Sequence, residues 1–158
     1  MVTPTLYEPQ AEMADLRLAE FPFYWLSTAR GQHAINMARA LRPVGITQHE
    51  WRVIASLQER DGLSIGDLAA ATTIERANLG RLLSRMARAD MLERRHTPAD
   101  RRVLLVFSTA KGRALYAAAL PHVHRAYEHA MEGLSVAERA TLMDLLRRLA
   151  GNTGRPFA

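Results

Sequence analysis

Residues 72–102 read TTIERANLGRLLSRMARADMLERRHTPADRR, and the rest of the chain is best read outward from them. The stretch holds eight arginines (76, 81, 85, 88, 94, 95, 101 and 102) against four acids, Glu75, Asp90, Glu93 and Asp100. Leu79, Leu82, Leu83 and Met86 recur at i, i+3, i+4 and i+7, which lays one apolar stripe along a helix. Thr72 and Glu75 have capping-box spacing, so the helix is expected to open there. Opposite the stripe lie Ala77, Arg81, Ser84 and Arg88, with Asn78 and Arg85 on one flank and Arg76 in the first turn. Such a face suits the major groove, where arginine forks to guanine O6 and N7 and asparagine bonds adenine N6 and N7. An ordinary amphipathic helix with a solvated basic side has the same pattern, so the helix alone leaves both readings open.

The second half of the stretch changes period. Residues 91–96 and 101–107 read as two short strands, the second rich in Val103, Leu104, Leu105, Val106 and Phe107. Residues 97–100 between them have turn chemistry. A helix followed by a hairpin with Asp100, Arg101 and Arg102 beside its tip describes a winged helix-turn-helix. The wing would set arginine against the narrow minor groove, whose negative potential attracts it.

The wing also carries a recognisable pattern: Asp-x-Arg, five residues, then Leu-Thr-x-x-Gly. Here it stands as Asp100, Arg102, Ser108, Thr109 and Gly112, with Ser108 in place of the usual leucine. On these residues the chain resembles the MarR family of regulators from about residue 21 to 149. Asp90 stands where that family usually has glycine at the end of the recognition helix; aspartate tolerates the left-handed conformation better than most residues. The resemblance implies a mostly helical protein with a small β-wing, a homodimer, and double-stranded palindromic DNA as partner.

Composition sets outer limits. The 158 residues suffice for one domain with a dimerisation appendage. Net charge is +5, and 20 of the 21 basic residues are arginine, Lys111 being the lone lysine. The absence of cysteine excludes a thiol switch or cysteine-ligated zinc in this chain. No apolar run approaches 18 residues and the first residues lack a signal-peptide pattern, so no membrane partner and a cytoplasmic location are expected.

Taken in order, residues 1–10 should be loosely ordered, with a short helix over 10–20. A long helix over 22–42 follows, opened by Pro22 and closed by Pro43 and Gly45. Thr47 and Glu50 cap a second helix, and Ser64 and Asp67 a third over 65–71, with Leu63 and Leu68 spaced as a hydrophobic staple. Thr109 caps a helix to about residue 132 with Pro121 inside it, and Gly133 stops it. Ser135 and Glu138 cap the last helix, whose Leu142, Leu145, Leu146 and Leu149 form another stripe. The chain therefore divides into a DNA-binding lobe, 46–107, and a helical dimerisation region formed by 1–45 and 108–158. Its two ends can bury their stripes against each other and against a second copy.

No phosphate loop, zincin motif or nucleophile motif occurs, so neither an enzyme nor a cofactor is expected. His122, His124 and His129 invite a metal reading, weighed against surface or interface histidines; no metal site is assigned. On the first helix, Leu26, Arg30, His33, Met37 and Leu41 share one side, so two polar residues interrupt an apolar stripe. Either they pair across a dimer, or they line a pocket for an anionic effector, arginine being the natural partner of a carboxylate. The resemblance implies a small-molecule effector between the dimer helices and the DNA-binding lobe. The Phe21-Pro-Phe-Tyr-Trp25 opening is similar to that of members answering to aromatic acids or their coenzyme A thioesters. The expected effector residues are Tyr24, Trp25, Arg30, His33 and Trp51. The sequence thus predicts a homodimeric repressor released from its operator by an aromatic acid or its thioester. The alternative is a small-molecule or zinc sensor whose winged lobe serves mainly protein contacts.

Overall fold

Leu79, Leu83 and Met86 are fully buried on one face of a helix, and the other elements are arranged around that face. The computed structural model describes residues 17–96 and 103–154. After a 3-10 turn at Leu18–Glu20 come α1 (Pro22–Leu41), a second 3-10 turn at Arg42–Val44, α2 (Gln48–Glu59), β1 (Leu63–Ser64), α3 (Ile65–Thr72) and α4 (Arg76–Arg88). β2 (Leu92–His96), β3 (Leu104–Ser108), α5 (Ala110–Ala130) and α6 (Val136–Thr153) follow. Among the described residues no helix is long and apolar enough to cross a membrane.

Three helices open on reciprocal capping boxes, Thr47 with Glu50, Ser64 with Asp67, and Ser135 with Glu138. In each, the hydroxyl accepts from the N3 amide while the carboxylate accepts from the cap's own amide, satisfying two otherwise orphaned donors. Thr109 caps α5 by accepting from the Gly112 amide at 3.0 Å, and that helix runs on through Pro121.

The expected box at Thr72 and Glu75 does not form. Thr72 is instead the last residue of α3, its hydroxyl donating back to the Leu68 carbonyl. α4 starts at Arg76 behind Glu75, which makes no side-chain cap. The helix-forming run Ala69-Ala70-Ala71 carries α3 one residue beyond the expected end. Thr73 then turns in the left-handed region (φ 54°), and Ile74 drops into the core.

β3 is the centre of a three-stranded antiparallel sheet, order β1-β3-β2. β1 was not expected; it pairs Leu63 with Val106 and Ser64 with Leu105. On the other side β2 pairs Leu92 with Ser108 through to His96 with Leu104. The expected strand over 101–107 is thus displaced toward Ser108, while residues 101–102 and the turn 97–100 lie outside the described residues. Of the expected helix over 10–20, only the turn at Leu18–Glu20 is described.

The core joins α4 to Leu41, Val53, Ile54, Leu57, Leu68, Leu92, Val106 and Ala119 from the surrounding elements. Each of these side chains larger than alanine contributes about 1.5–3 kcal/mol through burial. α6 stands apart, with no buried residue in the protomer.

Candidate nucleic-acid interface and effector cavity

The solvent face of α4 is what the apolar stripe leaves over. Arg76, Ala77, Asn78, Arg81, Arg85 and Arg88 are all exposed, as the helical period requires. Along it a hydrogen-bonded chain orders the polar groups: Arg81 Nη2 donates to Asn78 Oδ1, and Asn78 Nδ2 donates to Glu75 Oε2 at 3.2 Å. A hollow of about 380 Å³ beside them is bordered by His49, Thr73, Glu75, Asn78, Arg81 and Arg85. His49 was missed by sequence reasoning; its only signal was its place in the first turn of α2.

Ser84 is placed differently from its expected role. It is half-buried, its hydroxyl donating to the Gly80 carbonyl and accepting from Arg94 Nη2, both at 2.9 Å. Ser84 therefore ties α4 to β2 rather than standing free for a base edge. Arg94 follows Leu92 at the two-residue period of a strand, which turns it toward the same inner side. Arg95 points the other way, pairing with Glu93 and lying 5.1 Å from the Phe107 ring centroid. Asp100, Arg101 and Arg102, the expected wing contacts, lie outside the described residues.

The C-terminal end of α4 is stitched to the start of α5. Asp90 takes a left-handed φ of 56°, as its position required. Its carbonyl accepts from Thr109 Oγ1 at 2.7 Å, and the Ala89 carbonyl accepts from Lys111 Nζ at 2.8 Å. Gly112 lies so close that a Cβ there would sit 2.2 Å from the Met91 carbonyl oxygen. The Thr-x-x-Gly of the wing pattern is thus a joint: the threonine bonds across it and the glycine lets the two backbones touch.

A second hollow, about 210 Å³, lies between α1, α2 and α5, lined by His33, Met37, Gln48, Trp51, Arg52, Val123 and Tyr127. Trp51 is braced by Tyr116, the two rings stacked at 5.1 Å and 5°. Of the expected effector residues the structure brings together His33 and Trp51. Arg30 is exposed one turn earlier on α1 and does not line the cavity; Arg52, which the sequence reading passed over, is the arginine among the lining residues. Tyr24 and Trp25 pack edge to face near the start of α1, and Trp25 Nε1 donates to the Ala19 carbonyl at 2.7 Å.

The histidines of α5 find local partners. His122 Nδ1 is 2.9 Å from Arg125 Nη2, and His129 Nδ1 is 3.4 Å from Glu132. His122 and His129 border a groove of about 260 Å³ with Arg39 and Arg125, whose charges oppose a cation. Among the described residues no three potential ligands converge on a metal position.

Two helices at a tight turn, the second presenting arginine and asparagine, followed by a β-hairpin, define a winged helix-turn-helix protein that binds DNA. Comparison with known proteins makes the class specific. A family model described as MarR family matches residues 44–103. Transcriptional regulator HosA of Escherichia coli O111:H- is 30% identical over 122 residues, covering 77% of this chain and 84% of HosA. The transcriptional repressor IacR of Pseudomonas putida is 29% identical over 98 residues, 62% of this chain, and the match spans 59% of IacR's length. Among solved structures, BpsR of Bordetella bronchiseptica, whose DNA binding is regulated by 6-hydroxynicotinic acid, aligns with TM-score 0.80 at 27% identity, covering 86% of this chain and 97% of that one. The repressor CouR bound to a 23-mer DNA duplex aligns with TM-score 0.78 at 26% identity, covering 89% of this chain and 99% of that one. The chain belongs to the MarR family. It is a DNA-binding transcriptional regulator and, like these relatives, not an enzyme.

Proposed function

We propose that this regulator is a homodimeric repressor that holds a palindromic operator and releases it when a single-ring aromatic acid fills the cavity between α1, α2 and α5. The observation that carries the reading is that cavity. It joins an aromatic wall, Trp51 braced by Tyr116, to a small set of polar groups, His33, Gln48 and Arg52. A mainly apolar hollow with few convergent polar groups is how small ligands are held. Its volume of about 210 Å³ is below the usual 300–1,000 Å³ of drug-sized sites, which favours a free acid. A coenzyme A thioester could place only its acyl ring there. The regulation of BpsR by 6-hydroxynicotinic acid, itself an aromatic acid, supports the same class of effector.

The dimer is supported by the apolar surface that one protomer leaves uncovered. Val136 is 85% exposed, Trp25 57% and Leu145 51%, with Phe21, Phe23, Ile35 and Met143 also open. These fall on α1, α6 and the turn before α1, outside the 46–107 lobe, so a second copy would cover them and leave α4 and the wing free. Twofold symmetry then sets the two α4 helices on half-sites about 34–36 Å apart.

The reading is tested by isolating a genomic fragment retained by the protein and titrating the complex with benzoates, hydroxynicotinates, hydroxycinnamates and their thioesters. Release by single-ring acids is expected. If none of the panel releases the fragment, this effector class is wrong.

A further inference from the structure

Arg52 belongs to two places at once. Its side chain lines the aromatic-walled cavity beside His33 and Trp51, where it is the only arginine or lysine among the lining residues. It also borders the neighbouring hollow between α2 and the end of α3, with Ala71, Thr72 and Thr73. There its Nη1 donates to the Thr72 carbonyl at 3.2 Å and lies 3.4 Å from Thr73 Oγ1. Thr72 is the C-terminal residue of α3, where carbonyls lack partners within the helix and the helix dipole is negative. Thr73 is β-branched yet sits at φ 54°, a conformation that needs support from its surroundings. Three residues later the chain enters α4. The arginine that lines the cavity therefore also holds the turn that aims the recognition helix.

We propose that Arg52 is the coupling residue of this regulator: a carboxylate entering the cavity takes its guanidinium from the Thr72 carbonyl and frees the α3–α4 turn. This rests on the aromatic-acid reading above. A carboxylate offers two charged acceptors matching the guanidinium fork, a stronger partner than one neutral carbonyl. A carboxylate that takes the Nη1–Nη2 edge competes with Thr72 for Nη1. Bound on that edge the acid displaces the tether, and with the tether gone α4 no longer holds one angle to its neighbour. Linkage then requires DNA, which selects the tethered form, to weaken acid binding by the same factor that the acid weakens DNA binding.

The test compares the unaltered protein with Arg52→Met, which keeps the apolar stem, and Arg52→Lys, which keeps the charge without the fork. Three quantities are read: acid affinity from Trp fluorescence or calorimetry, operator affinity without acid, and the ratio of operator affinities without and with saturating acid. The unaltered ratio should lie at about 5–150. Arg52→Met should bind acid about tenfold or more weakly, bind operator several-fold more weakly without acid, and show a ratio near 1. Arg52→Lys should regain part of the acid affinity but little of the ratio. In the unaltered protein, hydrogen exchange at residues 72–76 should speed up when acid is added, a readout independent of how either variant folds. An unchanged ratio in Arg52→Met, or unchanged exchange at the turn, overturns the proposal and leaves the effector reading standing. If no acid binds the unaltered protein, the effector reading itself fails and this inference falls with it.

Discussion

Arg85 of α4 reaches across to Glu50 of α2, with Nη2 3.3 Å and Nε 3.4 Å from Glu50 Oε1. The other carboxylate oxygen, Oε2, accepts from the Thr47 amide at 2.8 Å and the Thr47 hydroxyl at 2.9 Å. One buried carboxylate thus closes the cap of α2 and grips the side of the recognition helix. Glu50→Ala should cost about 1–3 kcal/mol, because a cap and a charged hydrogen bond go together. Arg85→Ala should cost less, since its guanidinium is mostly solvated and Glu50 keeps its bonds to Thr47. Denaturant melts of the two variants check this; the prediction fails if Arg85→Ala is the more damaging.

On α4, base reading and structure should separate by residue. Arg81→Ala should lose about 1–3 kcal/mol of operator binding per half-site and relax the preference at its base pair. Ser84→Ala should leave base preference alone and lower stability, because its hydroxyl is spent on Arg94 and Gly80. Binding to a randomised operator library separates these outcomes.

Two glycines make opposite predictions. Gly112→Ala forces a Cβ against the Met91 carbonyl oxygen and should destabilise by about 1–3 kcal/mol. Gly80→Ala, with open space at the Cβ position in mid-helix, should stabilise by about 0.5–1 kcal/mol. Thermal melts decide; a neutral Gly112→Ala would mean that the two backbones can part at no cost.

Acid should loosen the capped helices. Hydrogen bonds from the Ser64 hydroxyl, then the Ser64 amide, hold the Asp67 carboxyl below its ordinary range, and the Ser135 hydroxyl and amide do the same for Glu138. A depressed carboxylate adds stability above its unfolded pKa, and that stability is lost as pH falls through the lower folded value. The contribution is therefore present at neutral pH and disappears below about pH 4. Stability measured from pH 6 to pH 3 should fall less steeply in an Asp67→Asn, Glu138→Gln double variant than in the parent. Equal slopes would remove the caps from the acid response.

The uncovered stripe of α6 predicts that Leu145→Asp breaks self-association. Sedimentation should show dimers of the unaltered chain and monomers or insoluble protein for the variant. A well-folded monomer of the unaltered chain would remove the twofold arrangement proposed above.

What was legible in the sequence was what depends on near neighbours. The boxes at Thr47, Ser64 and Ser135 formed because each is a contact between residues three apart, and the stripe of α4 was buried because its period is the helix's own. Thr72 and Glu75 had the same spacing and failed: helix propensity in the alanine run carried α3 through Thr72, whose hydroxyl turned back to Leu68. β1 has two residues and no pattern of its own; pairing with β3 creates it. In the cavity, His33 and Trp51 were visible as polar and aromatic residues on amphipathic helices. Arg30 shared a side with His33 but stands a turn away, whereas Arg52 acquires its place from a bond to a residue 20 positions later. Contacts at that range leave no local trace.

The joint at Gly112 has a mechanical consequence. α4 is packed into its lobe along its whole length, from Leu79 to Met86, so it moves with the lobe, and Arg76 and Asn78 lie at the end of α4 farther from the bonds that Thr109 and Lys111 make just beyond it. Thirteen residues of helix make an arm of about 20 Å. A rotation of the lobe by about 10° about that joint would sweep Arg76 by roughly 3.4 Å, the rise of one base pair along a strand. A rotation of that size would carry the recognition helix a full step of DNA register.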